Sequence, residues 1–193
     1  MISIAGMLAR FSLWAVAAAL LAVPASANVE ELGRKAAKEL AAGQHLEAVE
    51  TLREAVREAA LSGPLLFRHA LFTSEPGKAF GIYNPRNDNV FKRGEPLLVY
   101  VEPVGFDWKP DGDLYTAHLT VDYEIGTPQG QILAGQRGFD HFEFTSRDQN
   151  HEVMTTLKFN LSGAKPGDYV LGVTYHDRTT GKQASFDLPF KVK

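Results

Sequence analysis

Five stretches of the chain place apolar side chains at every second position. Leu97, Val99 and Val101 alternate with Leu98, Tyr100 and Glu102, and Ala117, Leu119, Val121, Tyr123 and Ile125 alternate with His118, Thr120, Asp122 and Glu124. The same beat returns at Val153, Thr155, Leu157, Phe159 and Leu161, then at Tyr169, Leu171, Val173 and Tyr175, and finally at Ala184, Phe186, Leu188, Phe190 and Val192. Successive side chains of an extended strand point to opposite faces, so this period dictates half-buried strands and excludes amphipathic helices there. Residues 80–83 and 131–144 carry two further extended patterns, which gives seven or eight short strands within residues 79–193. Turn-forming clusters such as Pro110-Asp111-Gly112 and Thr179-Thr180-Gly181 separate them. No segment between them is long enough for a helical crossover, so neighbouring strands are expected to run antiparallel.

Ahead of these strands the period is helical. Residues 29–42 carry Glu30, Glu31, Arg34, Lys35, Lys38 and Glu39, and Gly43 stands where a left-handed C-cap is needed. A second helix over residues 46–61 repeats Val49, Leu52, Val56 and Ala59 at spacings of three and four, which predicts its buried face, and Ser62-Gly63-Pro64 stops it. Before both lies the thirteen-residue apolar run 11–23, preceded by Arg10 and followed by Pro24 and Ala25-Ser26-Ala27. A spanning helix needs about 20 apolar residues. A shorter run with a basic flank and a small-residue end is the pattern of a signal peptide cleaved near Ala27. The expected division is therefore a signal peptide over 1–27, a helical hairpin over 28–62, a linker over 63–78 and a β-domain over 79–193. The composition includes no cysteine, which removes disulfides, thiolate ligands and a lipid-modified N-terminal Cys, and suits a periplasmic or secreted protein with no membrane insertion after cleavage.

Strand number and turn spacing together predict a mainly β fold: an Ig-like antiparallel β-sandwich of seven or eight strands preceded by the helical hairpin. Pro166-Gly167-Asp168-Tyr169-Val170-Leu171-Gly172-Val173, with Asp177-Arg178-Thr179-Thr180-Gly181-Lys182 after it, resembles the last two strands of bacterial Ig-like or fibronectin III-like modules. In that resemblance Tyr169 stands where a tyrosine corner would be. Tyr83-Asn84-Pro85-Arg86 and Phe91-Lys92-Arg93-Gly94-Glu95 are similar to uncharacterised secreted bacterial proteins with the same plan, which implies fold and export and no activity. Residues 43–55 resemble the second half of a tetratricopeptide repeat, although Leu32 and Lys35 replace the Trp and Leu of the first helix. A solenoid needs about three stacked repeats and no second copy exists, so the hairpin is expected to pack on the following domain.

The formal charge is −3, with no local run of Lys and Arg, so nucleic acid is not an expected partner. The nucleophile-elbow pattern Gly-x-Ser-x-Gly, the His-Glu-x-x-His motif and the phosphate loops are all absent. The protein is therefore expected to be non-enzymatic and to carry no cofactor. Asp107, Asp111 and Asp113 do not have the spacing of a calcium loop and read as a turn. In Phe139-Asp140-His141-Phe142-Glu143-Phe144, strand alternation sends Phe142 and Phe144 inward and His141 and Glu143 outward.

Two surfaces could bind. Tyr83, Arg86 and Arg93 lie in one polar, aromatic segment, and Tyr100 falls opposite the core-facing Val99 and Val101, a mix suited to a protein interface. If the strands around His118 and His176 are neighbours, with centres near Leu119 and Gly172, the two imidazoles meet on the outer face and could share a metal with Asp122. The leading expectation is a monomeric module that binds another envelope protein. The alternative is a small-ligand or metal binder using the outer sheet face, with a hydrolase behind both.

Overall fold

The computed structural model describes residues 25–161 and 163–193, so the apolar run 11–23 lies outside the described residues. The chain is mainly β, with two helices preceding antiparallel sheets. Helices α1 (Ala25–Ala41) and α2 (His45–Ser62) form a hairpin turned at Gly43, whose φ of 76° only glycine adopts without strain.

The hairpin packs through small residues. Ala48, Thr51 and Ala55 of α2 are buried against Leu32 and Ala36 of α1. The stripe expected to be buried points outward instead: Val49 is 48% exposed, Leu52 44% and Val56 58%. Periodicity correctly marks an apolar stripe, but Ala and Thr allow a closer helix approach, and they hold the intrahairpin seam.

The strands are β1 (Leu66–Thr73), β2 (Val90–Phe91), β3 (Leu97–Val104), β4 (Lys109–Asp111), β5 (Leu114–Gly126), β6 (Ile132–Ser146), β7 (Thr155–Phe159), β8 (Gly167–Asp177) and β9 (Gln183–Val192). A three-stranded sheet has the order β1-β3-β7, and a six-stranded sheet runs β2-β9-β8-β5-β4 with β6 paired to β5. All pairings are antiparallel except β2 with β9. The core between the sheets is built from the period-two residues, among them Val99, Val101, Leu119, Val121, Leu157 and Leu171. Burying side chains of this size contributes about 1.5–3 kcal/mol each. Across the core Thr155 Oγ1 and Tyr175 OH join the two sheets at 2.6 Å. At the start of β8, Tyr169 OH donates back to Lys165 O at 2.7 Å.

Two segments differ from the sequence expectation. Within the expected linker 63–78, residues Leu66–Thr73 form β1, the edge partner of β3. A bulge at Arg68 puts Phe67 opposite Pro103, then Ala70 opposite Val101 and Phe72 opposite Val99. The inward positions therefore change parity mid-strand and the alternation is lost to inspection. Residues 80–83, expected as a strand, form a tight turn closed by a bridge between Ala79 and Ile82. Gly81 lies at φ 71° in that turn.

The hairpin meets the sheets at the last turn of α2. Lys182 Nζ donates to Leu61 O at 2.7 Å and to Gly105 O at 3.2 Å. Arg57 reaches Asp107 at 3.7 Å. An added Cβ on Gly105 would stand 2.7 Å from Pro64 O, so only glycine permits this close backbone approach.

Candidate functional site

The sequence nominated Tyr83, Tyr100, Arg86 and Arg93 as an exposed contact face. Tyr100 does leave β3 on the side away from the core, but it is fully buried. The turn at residues 79–82 lies over it. Gly81 N–H donates to Tyr100 OH at 2.8 Å and to Glu102 Oε1 at 3.1 Å, while Tyr100 OH donates to Glu102 Oε1 at 2.6 Å. Tyr83 stacks on Tyr100 with ring centroids 4.2 Å apart. Burial first, and then the bond to the Glu102 carboxylate, push the Tyr100 phenol up to about 12. The buried Glu102 also takes Arg68 Nη1 on its other oxygen at 3.3 Å.

Arg86 is committed as well. It bonds Glu95 at 2.7 Å and Val90 O at 2.9 Å, and its guanidinium sits 4.2 Å from the Phe91 ring centroid. Arg93 is exposed and reaches Ala164 O at 3.4 Å. Tyr100 is therefore unavailable to a partner, Tyr83 is stacked on it, and Arg86 is spent on the segment 88–95.

Among the described residues, nothing covers the outer face of the six-stranded sheet in this way. Strands β5 and β8 are neighbours, as the histidine argument required, but Leu119 pairs with Asp177 and not with Gly172. His176 stands opposite Thr120, so His118 lies on the diagonal of the same face. The two rings engage different acids: His176 Nε2 is 3.0 Å from Asp122 Oδ2, and His118 Nε2 is 4.0 Å from Glu143 Oε1. Among the described residues no group of three or more His, Cys, Asp or Glu side chains is gathered as metal ligands would be. Asp122 also accepts Gly138 N–H at 2.7 Å, where β6 bulges and Gly138 has φ 58°. Burial works to raise the Asp122 carboxyl, but the Gly138 bond, then His176 and the Arg137 charge, hold it below its ordinary value.

This face is the floor of a groove of about 850 Å³, walled on one side by residues 132–137 of β6. A second groove, of about 800 Å³, lies between α2 and the loop 147–152. Val49, Leu52 and Val56 form its apolar wall, and Tyr115 and His151 lie across it. His151 is held below its ordinary pKa, first by burial and then by the charge of Arg57. The other sequence candidates are structural. Asp107 caps Trp108 N–H at 2.8 Å, and Phe142 and Phe144 face inward opposite Leu119 and Ala117. Sequence reasoning missed both the buried Glu102 and the α2 groove. The one legible signal for the latter was the stripe itself.

No family model matches the sequence, and no curated protein matches it. Among solved structures the chain is similar to the alkylpurine DNA glycosylase AlkC of Pseudomonas fluorescens bound to DNA containing an abasic site analog, at 13% identity and a TM-score of 0.37, over 77% of this chain and 39% of that one. It is similar to a family 123 glycoside hydrolase of Clostridium perfringens at 11% identity and a TM-score of 0.39, over 68% of this chain and 27% of that one. It is similar to the sporulation control protein Spo0M of Bacillus subtilis at 12% and 0.34, over 68% and 50%. The chain thus spans half or less of each of these three, and likenesses this distant carry no argument about fold family or activity.

Proposed function

We propose that this chain is a non-enzymatic envelope module, exported by its leader, cleaved near Ala27 and acting as a monomer that binds another protein. The reading rests on one observation, the outward stripe of α2. Leu46 is 70% exposed and continues Val49, Leu52 and Val56 along about 15 Å of helix, and the last three wall the second groove. Contiguous apolar surface of this kind on a monomer marks an interaction site. With Glu50, Arg53 and Glu54 beside it, the stripe suits an amphipathic helix of the partner, whose apolar ridge would lie along the groove.

The β-body is read as an Ig-like sandwich. The three-stranded sheet facing the longer one, the parallel β2–β9 contact and the Tyr169-to-Lys165 bond at the start of β8 support that reading. In such a body the hairpin is the added element, and it carries the stripe of four exposed apolar residues, Leu46, Val49, Leu52 and Val56.

Photo-crosslinking in the native envelope tests the proposal, with benzoylphenylalanine at Val56 and, as control, at Ser185. The expected result is one heterologous adduct from position 56, absent from position 185 and abolished by Leu52→Glu. No adduct, equal adducts from both positions, or an adduct the size of two copies of this chain would overturn it.

A further inference from the structure

We propose that the groove on the outer face of β5, β8 and β9 is a saccharide site that takes a short uncharged oligosaccharide. The inference is independent of the α2 surface. Its floor is defined by register: Glu124 pairs with Gly172 across one strand gap, and Gly172 with Asp187 across the next. Gly172 has no side chain, so the floor drops between two acids roughly 10 Å apart, two strand spacings. An added Cβ there would lie 3.1 Å from Asp187 Oδ1, so that carboxylate leans over the dip.

Next to this dip the polar groups divide into two sets. Asp122 with His176, and Thr174 with Ser185 at 2.8 Å, are engaged with each other and stiffen the floor. The carboxylates of Glu124 and Asp187, the amides of Gln136 and Gln183, and the Arg137 guanidinium line the same groove outside those pairs.

A sugar hydroxyl donates one hydrogen bond and accepts others. It is matched by carboxylate acceptors interleaved with amide and guanidinium donors. Three carboxylates, one of them paired with His176, stand here beside one guanidinium, which disfavours an anionic ligand and leaves a cation as the competitor that the test below must separate from a neutral sugar. A peptide strand would need free backbone groups. The central strand β8 offers none, because it is laddered to β5 on one side and β9 on the other. The groove, about 850 Å³, is large enough for a few sugar rings, and Ile132, 60% exposed on its wall, supplies an apolar surface for their C–H faces.

The test is an array of neutral oligosaccharides probed with the chain, followed by NMR titration of each hit to about 10 mM. Spermidine serves as the cationic comparator. The expected result is saturable shifts at the amides of Glu124, Gly172 and Ser185. In Glu124→Ala/Asp187→Ala the affinity should fall about tenfold or more while the Asp122 and His176 resonances stay in place. No saturable hit, shifts confined to other parts of the chain, unchanged affinity in the double variant, or spermidine binding more tightly than every saccharide would overturn the proposal. Each of those outcomes leaves the α2 reading standing.

Discussion

The two sheets of this protein each turn one face away from the core, and the two faces have opposite fates. On the three-stranded sheet, Tyr100 and Glu102 are sealed under the turn at residues 79–82 and share one set of hydrogen bonds. On the six-stranded sheet, Asp122 and His176 stay open to solvent at the floor of a groove. Strand alternation is the same in both, so it shows which way a side chain points but not what lies over it. A roofed polar group must find partners within the protein, because an unpaired buried group costs about 1–3 kcal/mol. An open one can exchange its partners for water or for a ligand.

Three substitutions sharpen that contrast. Gly77→Val should have the largest effect, since even a Cβ there would overlap Met154 Cε and would stand only 2.5 Å from Tyr100 Cδ2. A loss of about 3 kcal/mol in denaturant unfolding is expected from the displaced roof. A change within about 0.5 kcal/mol would mean the roof is not packed on Tyr100. Tyr100→Phe keeps the ring stack and removes the hydroxyl that Glu102 and Gly81 share. It should cost about 1–3 kcal/mol by the same measurement, and a neutral result would show that water satisfies Glu102.

On the open face, Asp122→Asn should cost under about 1 kcal/mol near neutral pH, because the pair is partly solvated. The sign with pH follows from a carboxyl whose folded pKa is depressed. Its contribution is present above the unfolded value of about 3.9 and is lost as pH falls through the folded value. Stability curves of the parent and Asp122→Asn should therefore differ above about pH 4 and converge below it. Parallel curves across that range would remove Asp122 from the account.

The strands were legible wherever their two faces differ in polarity and the strand itself carries no bulge, as from Ala117 to Ile125, whose pairing with β8 is unbroken, and there the residues read as inward pack in the core. Legibility failed where the ladder is irregular or the partner is distant in sequence. The bulge at Arg68 scrambled the parity of β1. The cover over Tyr100 comes from residues about twenty positions away, so a tyrosine read as a contact surface proved to be internal. In α2 the period was right, but two apolar candidates for the seam were present, and the smaller side chains took it. For the outer groove the face and the nearness of His118 and His176 were readable. The register was not, so the imidazoles engage separate acids and not one another.

Lys182, whose ammonium holds the last turn of α2, is 121 residues from Leu61 and close to the end of the chain. Synthesis runs from the N-terminus, so residues 25–62 are made well before Lys182, one of the residues that anchor them. A helical hairpin forms in microseconds from local contacts, whereas long-range strand pairing is slower by orders of magnitude. The hairpin is thus built from local contacts and pinned by Lys182 only across 121 residues of intervening chain, while its apolar stripe faces outward before and after that contact is made.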